Sequence, residues 1–269
     1  MTATLNGSVG SLFRDELRRA RQQAGLTQDQ LADRIGYSPS LVAAIETGRR
    51  SPTPDFARRS DEALAAAGLL ARIQQRVNDD ASPSWFREWA ALEGEATGLR
   101  WWQPTLIPGL LQTPEYARAV LRVGPGITEE EAEGRVSARM ERQRILDRDD
   151  PPMFFALLDE GALRREVSTP EVMVAQMEHL LEVGERPNVI LQVVPLSAGA
   201  HPGLAGPLGI ASFKGSADVA YLDTALTGQL VEQPDHVCEL ALLFDTLRGQ
   251  ALPCRASADL IREVMATWT

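Results

Sequence analysis

The stretch TQDQLADRIGYSPSLVAAIETGRR, residues 27–50, decides how the rest of the chain is read. Thr27 followed by Gln30 is a capping-box start: the Thr hydroxyl accepts a free backbone N–H while Gln30 reaches back. Leu31, Ala32 and Ile35 then share one helical face, and Gly36 ends the turn, as the left-handed position after a helix prefers. Ser38-Pro39 opens a second helix, with proline where its missing N–H is harmless. Leu41, Val42 and Ile45 form the apolar face of that helix, and Gly48 stops it. Two short helices and a tight turn fit any αα-hairpin. Gln28, small Ala32, Gly36, Val42 and Ile45 together are the narrower constraint set, because a small residue and a glycine let the helices cross closely and turn sharply. The stretch reads as a helix-turn-helix.

Working outward, residues 1–10 read as a loose terminus. Leu12, Phe13, Leu17 and Ala20 recur at helical spacing among arginines, which predicts a helix over Ser11–Ala24 ended by Gly25. On the other side, Pro52 and Pro54 interrupt the chain. Thr53-Pro54 then starts a helix expected to reach Ala67 and stop at Gly68. Residues 69–83 read as a helical tail and a polar break, Asn78 to Pro83. Over residues 11–70 the chain resembles the Cro/cI-type (XRE) helix-turn-helix family. The resemblance implies an all-α, five-helix, lambda-repressor-like domain that binds double-stranded operator DNA. The expected organisation is a DNA-binding domain over 1–76, a linker over 77–83 and a second domain over 84–269.

The recognition helix would be Ser38–Glu46, its N-terminal residues over the major groove. The expected DNA-facing set is Gln28, Ser38, Pro39, Ser40, Ala43, Ala44, Thr47, Arg49 and Arg50. Gln28 and the helix-terminal N–H groups can meet phosphates. Within the helix, Ser40, Ala43 and Ala44 offer one hydroxyl and two methyl groups, whereas bidentate base reading needs Arg, Asn or Gln. Ser40 can read either base type and the alanines can touch thymine methyls. Arg49 and Arg50 are the long donors nearby, and their ordinary reading is phosphate positioning or a solvated loop.

The net charge of −10 looks wrong for a DNA binder until it is divided. Residues 1–60 hold nine Arg against six acidic residues, a balance of +3, and the remainder carries −13. A local basic face is what binding needs, and the acidic part is expected to sit away from the duplex. The chain's 269 residues and 44% hydrophobic content support two cores. No stretch approaches the ~18 apolar residues of a membrane span, and no secretory signal is visible. Cys238 and Cys254 are too few for a disulfide scaffold or thiolate metal site, so a cytoplasmic protein is expected.

In the second domain, Trp85, Phe86, Trp89 and Leu92 form an aromatic helical stripe, read as core. WWQPTLIPGLLQTPEYARAVL, residues 101–121, starts irregularly at Pro104, Pro108 and Gly109 and becomes helical after Thr113-Pro114-Glu115. Thr128 with Glu131 caps a helix over Glu129–Arg148, on which Arg135, Arg139 and Arg142 share a face. The ordinary reading of that face is solvated and paired with Glu131, Glu133 and Glu141; the functional one is an anion or partner site. Four strands are expected, in MFFALLD, NVILQVVP, LGIASF and VAYLD, with a helix over Ser168–Val183 between the first two and helices over Val237–Arg248 and Ser257–Trp268 after them. Met173, Gln176, Met177 and Leu180 line one side of the first of these helices as core filling. The class is α+β, a small sheet carrying several helices. PGLLQT followed by EYA, then RQRIL, the Asp159-Glu160…Leu163-Arg164-Arg165 run and NVILQVVP, resemble the domain of unknown function of actinobacterial, antitoxin-like helix-turn-helix regulators, over about residues 84–265. That resemblance implies a small partner protein encoded nearby and supplies no ligand.

Catalytic chemistry finds little support. A metalloprotease helix needs two His at i, i+4 around a Glu, but His179 is alone on its helix, and His201 and His236 lie in loops or at a helix edge. A self-cleaving repressor needs a serine with a lysine base; Lys214 is the only lysine and no serine is tied to it by motif. Residues 197–209 read as a mobile loop over a pocket. Glu160 and Arg164 at the first strand's end are either a helix staple or part of a binding site. The candidate ligand or partner residues are Arg135, Arg139, Arg142, Glu160, Arg164 and His201. The favoured expectation is a dimeric, sequence-specific transcriptional regulator without cofactor or metal, its second domain taking a partner or small-molecule effector. A non-DNA-reading interaction scaffold, supported by Ala43-Ala44, and an enzyme targeted by a helix-turn-helix are the alternatives.

Overall fold

A computed structural model describes residues 9–50, 52–81, 84–124, 126–224 and 227–268. Residues 1–8 of the expected loose terminus, Ser82-Pro83 of the expected linker and the Trp85 side chain lie outside the described residues. The chain forms two compact units, Met1–Ser84 with Leu121–Glu141, and Trp85–Val120 with Arg142–Thr269.

The first unit holds helices α1 (Val9–Gln23), α2 (Gln28–Ile35), α3 (Pro39–Glu46), α4 (Pro54–Leu64) and α5 (Leu69–Ala81). Phe13, Leu17, Leu31, Ala32, Ile35, Val42, Ile45, Phe56 and Leu70 pack into one core, as their spacing predicts. Leu12, expected on the same stripe of α1, is instead 48% exposed, because the buried face is set by the i, i+4 pair Phe13 and Leu17 and Leu12 falls to its side. Both halves of the capping box at Thr27 and Gln30 are present. Gly36 takes φ 72°, the left-handed conformation that lets α2 turn into α3.

Two boundaries differ from expectation. Helix α4 stops at Leu64, three residues before Ala67, with Ala65 and Ala67 at φ 51° and 52°. The cause is Asp61, whose carboxylate accepts the backbone N–H groups of Leu70 (2.9 Å) and Ala71 (2.8 Å). It caps α5, so the chain must bend sharply between them. The polar run at 78–81, expected as linker, is the last turn of α5. Asn and Asp lower helix propensity by only tenths of a kcal/mol, roughly, so a helix already nucleated upstream runs through them.

The second unit contains α6 (Ser84–Glu95, within it from Trp85), β1 (Gly98–Gln103) and α7 (Pro114–Leu121, within it to Val120). Helix α8 (Glu129–Gln143) passes from one unit to the other after Glu141 and ends five residues short of the expected Arg148, in a 3-10 turn over Arg144–Leu146. The second unit continues with β2 (Met153–Asp159), the short α9 (Glu160–Arg164) and α10 (Pro170–Val183). Strands β3 (Val189–Val194), β4 (Leu208–Ser212), β5 (Val219–Asp223) and β6 (Gly228–Val231) follow, then α11 (Pro234–Gln250) and α12 (Cys254–Met265).

The sheet order is β3-β2-β1-β4-β5-β6, with β1, β2 and β3 parallel and the remainder an antiparallel meander. Among the described residues the sheet has six strands where four are expected. β1 is hidden in the sequence because GLRWWQ runs into a proline-rich segment, yet it is central, pairing Trp101 with Ala156 on one side and Gly209 on the other. β6, at the edge, has only four residues. Alternation along the strands feeds two cores. Leu99, Trp101, Phe154, Ala156 and Leu158 pack with α6, α10 and α12, while Trp102, Leu157, Leu208 and Ile210 pack with α11. Met173, Gln176, Met177 and Leu180 are buried as core filling, and so is Trp89 of the aromatic stripe.

Candidate nucleic-acid interface

Helix α3 is presented by an internal charge knot. Glu46 is 2% exposed, and its carboxylate accepts two bonds from Arg21, Nε at 2.6 Å and Nη2 at 2.9 Å. Arg18 donates to the Glu46 carbonyl (2.7 Å) and Gln28 Nε2 to Oε2 (2.8 Å). Burial pushes the Glu46 carboxyl pKa up. The hydrogen bonds from Arg21 and Gln28 and the charges of Arg21 and Arg18 outweigh it, and the result lies below the usual carboxylate value. The knot ties the C-terminal end of α3 to α1 and α2, while the N-terminal end of the helix stays exposed as a ridge.

On that ridge Ser38, Pro39 and Ser40 are exposed at the N-terminus, with Ala43 and Ala44 half-buried one turn on. Ser38 caps the helix by accepting the Leu41 N–H, and its hydroxyl lies 3.0 Å from that of Ser40. Past the C-terminal end, the Thr47 hydroxyl donates to the Ala43 carbonyl (2.7 Å) and accepts from Arg49 Nε (3.1 Å). Arg49 is therefore positioned through Nε, which leaves its terminal nitrogens for a phosphate or a guanine edge. Arg50 is exposed beside it. Gln28 differs from its expected role: its amide nitrogen is engaged by Glu46 inside the unit.

The six residues singled out in the remainder divide between the two units. Arg135 and Arg139 are half-buried on α8 in the first unit. Arg142 is in the second, its Nε 3.2 Å from Glu93 Oε2 and its guanidinium 4.7 Å over the Phe86 ring. The solvated reading of Arg142 is overturned, since its side chain is 14% exposed and Glu93 fully buried. Glu160, Arg164 and His201 do come together, at the carboxyl end of β2. Arg164 Nε bonds Glu160 Oε1 (2.7 Å), and Glu160 Oε2 accepts the Leu196 N–H (2.9 Å). His201 Nε2 lies 3.4 Å from Asp159 Oδ2, with the ring edge-on to Trp102 at 5.4 Å. The loop expected over 197–209 is folded there into 3-10 turns at Leu196–Ala198 and Pro202–Ala205, and Trp102 Nε1 donates to the Gly203 carbonyl (2.8 Å).

Residues 12–72 match a helix-turn-helix domain, and residues 86–263 match the family described as a domain of unknown function (DUF5753). The chain belongs to the DUF5753 family. An uncharacterized HTH-type transcriptional regulator of Methanothermobacter thermautotrophicus is 41% identical over 52 residues, which is 19% of this chain and 75% of that protein. No solved structure matches.

Within the DUF5753 region, sequence reading misses Glu93, Trp102 and Asp159; in the helix-turn-helix it misses Glu46, Arg18 and Arg21. The arginines carry a signal, three residues apart on the α1 face next to Leu17. Glu46 carries only its place beside Ile45 on a short helix. Nothing local says that a carboxylate at a helix end is buried rather than solvated.

Proposed function

We propose that this protein is a sequence-specific DNA-binding transcriptional regulator, acting in the cytoplasm as a homodimer, with the DUF5753 region receiving a small partner protein or effector. What carries the reading is the presentation of α3: a helix tied at its C-terminal end through Glu46, with an exposed N-terminal surface and Arg49 oriented by Thr47 just beyond it. The matches to a helix-turn-helix domain and to an HTH-type transcriptional regulator support it. Ser38, Ser40, Ala43 and Ala44 make a small-residue surface that admits close approach of the groove, while Arg49 and Arg50 supply charge. So sparse a set of long readers gives one module weak discrimination. Two modules on half-sites about 34–36 Å apart repair that, which is the energetic case for a dimer. The DUF5753 region then carries the signal, as in the antitoxin-like regulators of actinobacteria that it resembles.

The test is binding of the purified full-length protein to its own upstream region and to a scrambled duplex of equal length, titrated against salt. Specific binding with a footprint of two half-sites is expected. Equal binding on both duplexes, or none, would favour a scaffold, a reading whose support is the Ala43-Ala44 pair.

A further inference from the structure

We propose that the aromatic cluster around Glu93 is a binding site for a guanidinium group, filled in this structure by the chain's own Arg142. Glu93 on α6 is fully buried, and its Oε1 accepts from Trp101 Nε1 at 3.2 Å. Around it, Trp89 stacks on Tyr221 (centroids 5.2 Å, planes 23° apart) and meets Trp101 edge-on at 5.6 Å. Phe86 offers its face to the Arg142 guanidinium. A buried carboxylate among aromatic rings suits a flat, weakly hydrated cation, and guanidinium suits it better than the compact, strongly hydrated ammonium.

Arg142 fills this place imperfectly. Its Nε and Glu93 Oε2 are 3.2 Å apart, close enough to attract, yet neither makes a hydrogen bond; Trp89 Nε1, buried in the same cluster, has no partner either. Three orphaned polar atoms in one buried cluster are costly, and a misaligned ion pair offsets its desolvation poorly. The tether explains the misfit, because Arg142 arrives from the penultimate position of α8. A free guanidinium can rotate to face the carboxylate with two parallel N–H bonds. Arg142 is thus an exchangeable occupant, displaced by a ligand of its own chemistry. All six residues belong to the second unit, and the proposal is independent of DNA binding.

The full-length protein is titrated with ethylguanidinium and, as a matched control, ethylammonium, following tryptophan fluorescence and the indole N–H resonance of Trp101. Saturable binding of ethylguanidinium is expected, with a smaller or no response to ethylammonium. Binding to R142A should be tighter by about tenfold or more, because the tethered competitor is gone. No saturable response in the natural chain, or an equal response to both cations, overturns the proposal. Binding to R142A alone also overturns it, since Arg142 would then be a permanent structural residue. The natural-chain titrations stand by themselves should R142A fail to fold. A parallel titration with an end-blocked arginine peptide tells a protein side chain from a free metabolite: peptide binding supports a protein source, and binding of ethylguanidinium alone supports a small molecule.

Discussion

At the scale of single residues, Glu46 shows how a charge becomes structural. It holds α1, α2 and α3 together: its carboxylate accepts from Arg21 and Gln28, and its backbone carbonyl accepts from Arg18. Replacing Glu46 by Gln strands the Arg21 guanidinium, itself only 12% exposed. Loss of about 3 kcal/mol of stability at neutral pH is expected, read by urea unfolding. The acid behaviour follows with its sign. The folded carboxyl pKa is below its ordinary value, so its stabilisation is complete above the unfolded value, about 4.3. It drains away as pH falls from there through the folded value. E46Q should flatten that acid limb. Ala67, exposed and left-handed at φ 52°, gives an opposite case. Ala67→Gly removes the steric penalty of a Cβ in that conformation, and a gain of about 0.5–1 kcal/mol is expected in the same assay. Neither residue announces itself locally: one is an ordinary helix-end acid, the other an alanine in an alanine-rich run.

Elements show a sharper division. The capping box at Thr27, the Ser38-Pro39 start and the Thr113-Pro114 start are legible because caps act within four residues, on groups the sequence itself supplies. The end of α4 is not, because the Asp61 carboxylate acts nine residues away, on α5. β1 is hidden for a related reason: a central strand is defined by its neighbours, and those lie about 55 and 110 residues further along, at Met153 and Ser212. The turn over Pro202–Ala205 offers a test at this scale. A Cβ on Gly203 would stand 2.6 Å from Trp102 Cε2 and 2.8 Å from Leu247 Cδ2, both buried. Gly203→Ala should therefore lift the turn, lengthen the Trp102 Nε1 bond to residue 203 and destabilise the second unit by about 1–3 kcal/mol. The Trp102 indole resonance should shift toward a solvent-exposed value. An unmoved resonance would show that the turn yields without Trp102.

For the whole molecule, charge and partition matter more than any single pair of residues. Residues 1–60 carry +3 inside a chain of −10, so DNA affinity should depend steeply on salt even though the protein is acidic. Changing Arg49 and Arg50 to Ala should weaken binding and make the plot of log affinity against log salt shallower, by about one unit for each phosphate that is no longer neutralised. Light scattering on the eluting protein, with and without DNA, checks the dimer; a monomer in both would refute it. Among the described residues no helix is long and apolar enough to cross a membrane.

By itself, the sequence determined the helix-turn-helix, its caps, the apolar faces of its helices and the α+β class of the rest. These follow from periodicity and from hydrogen bonds closed within a turn or two. Only the tertiary structure decided which charges are buried, where β1 lies and what stands at the sheet's carboxyl edge. A carboxylate such as Glu46 or Glu93 has the same local pattern whether solvated or enclosed. The difference is made by arginines and tryptophans that the fold brings to it, from 25 residues away at Arg21 and from 49 at Arg142.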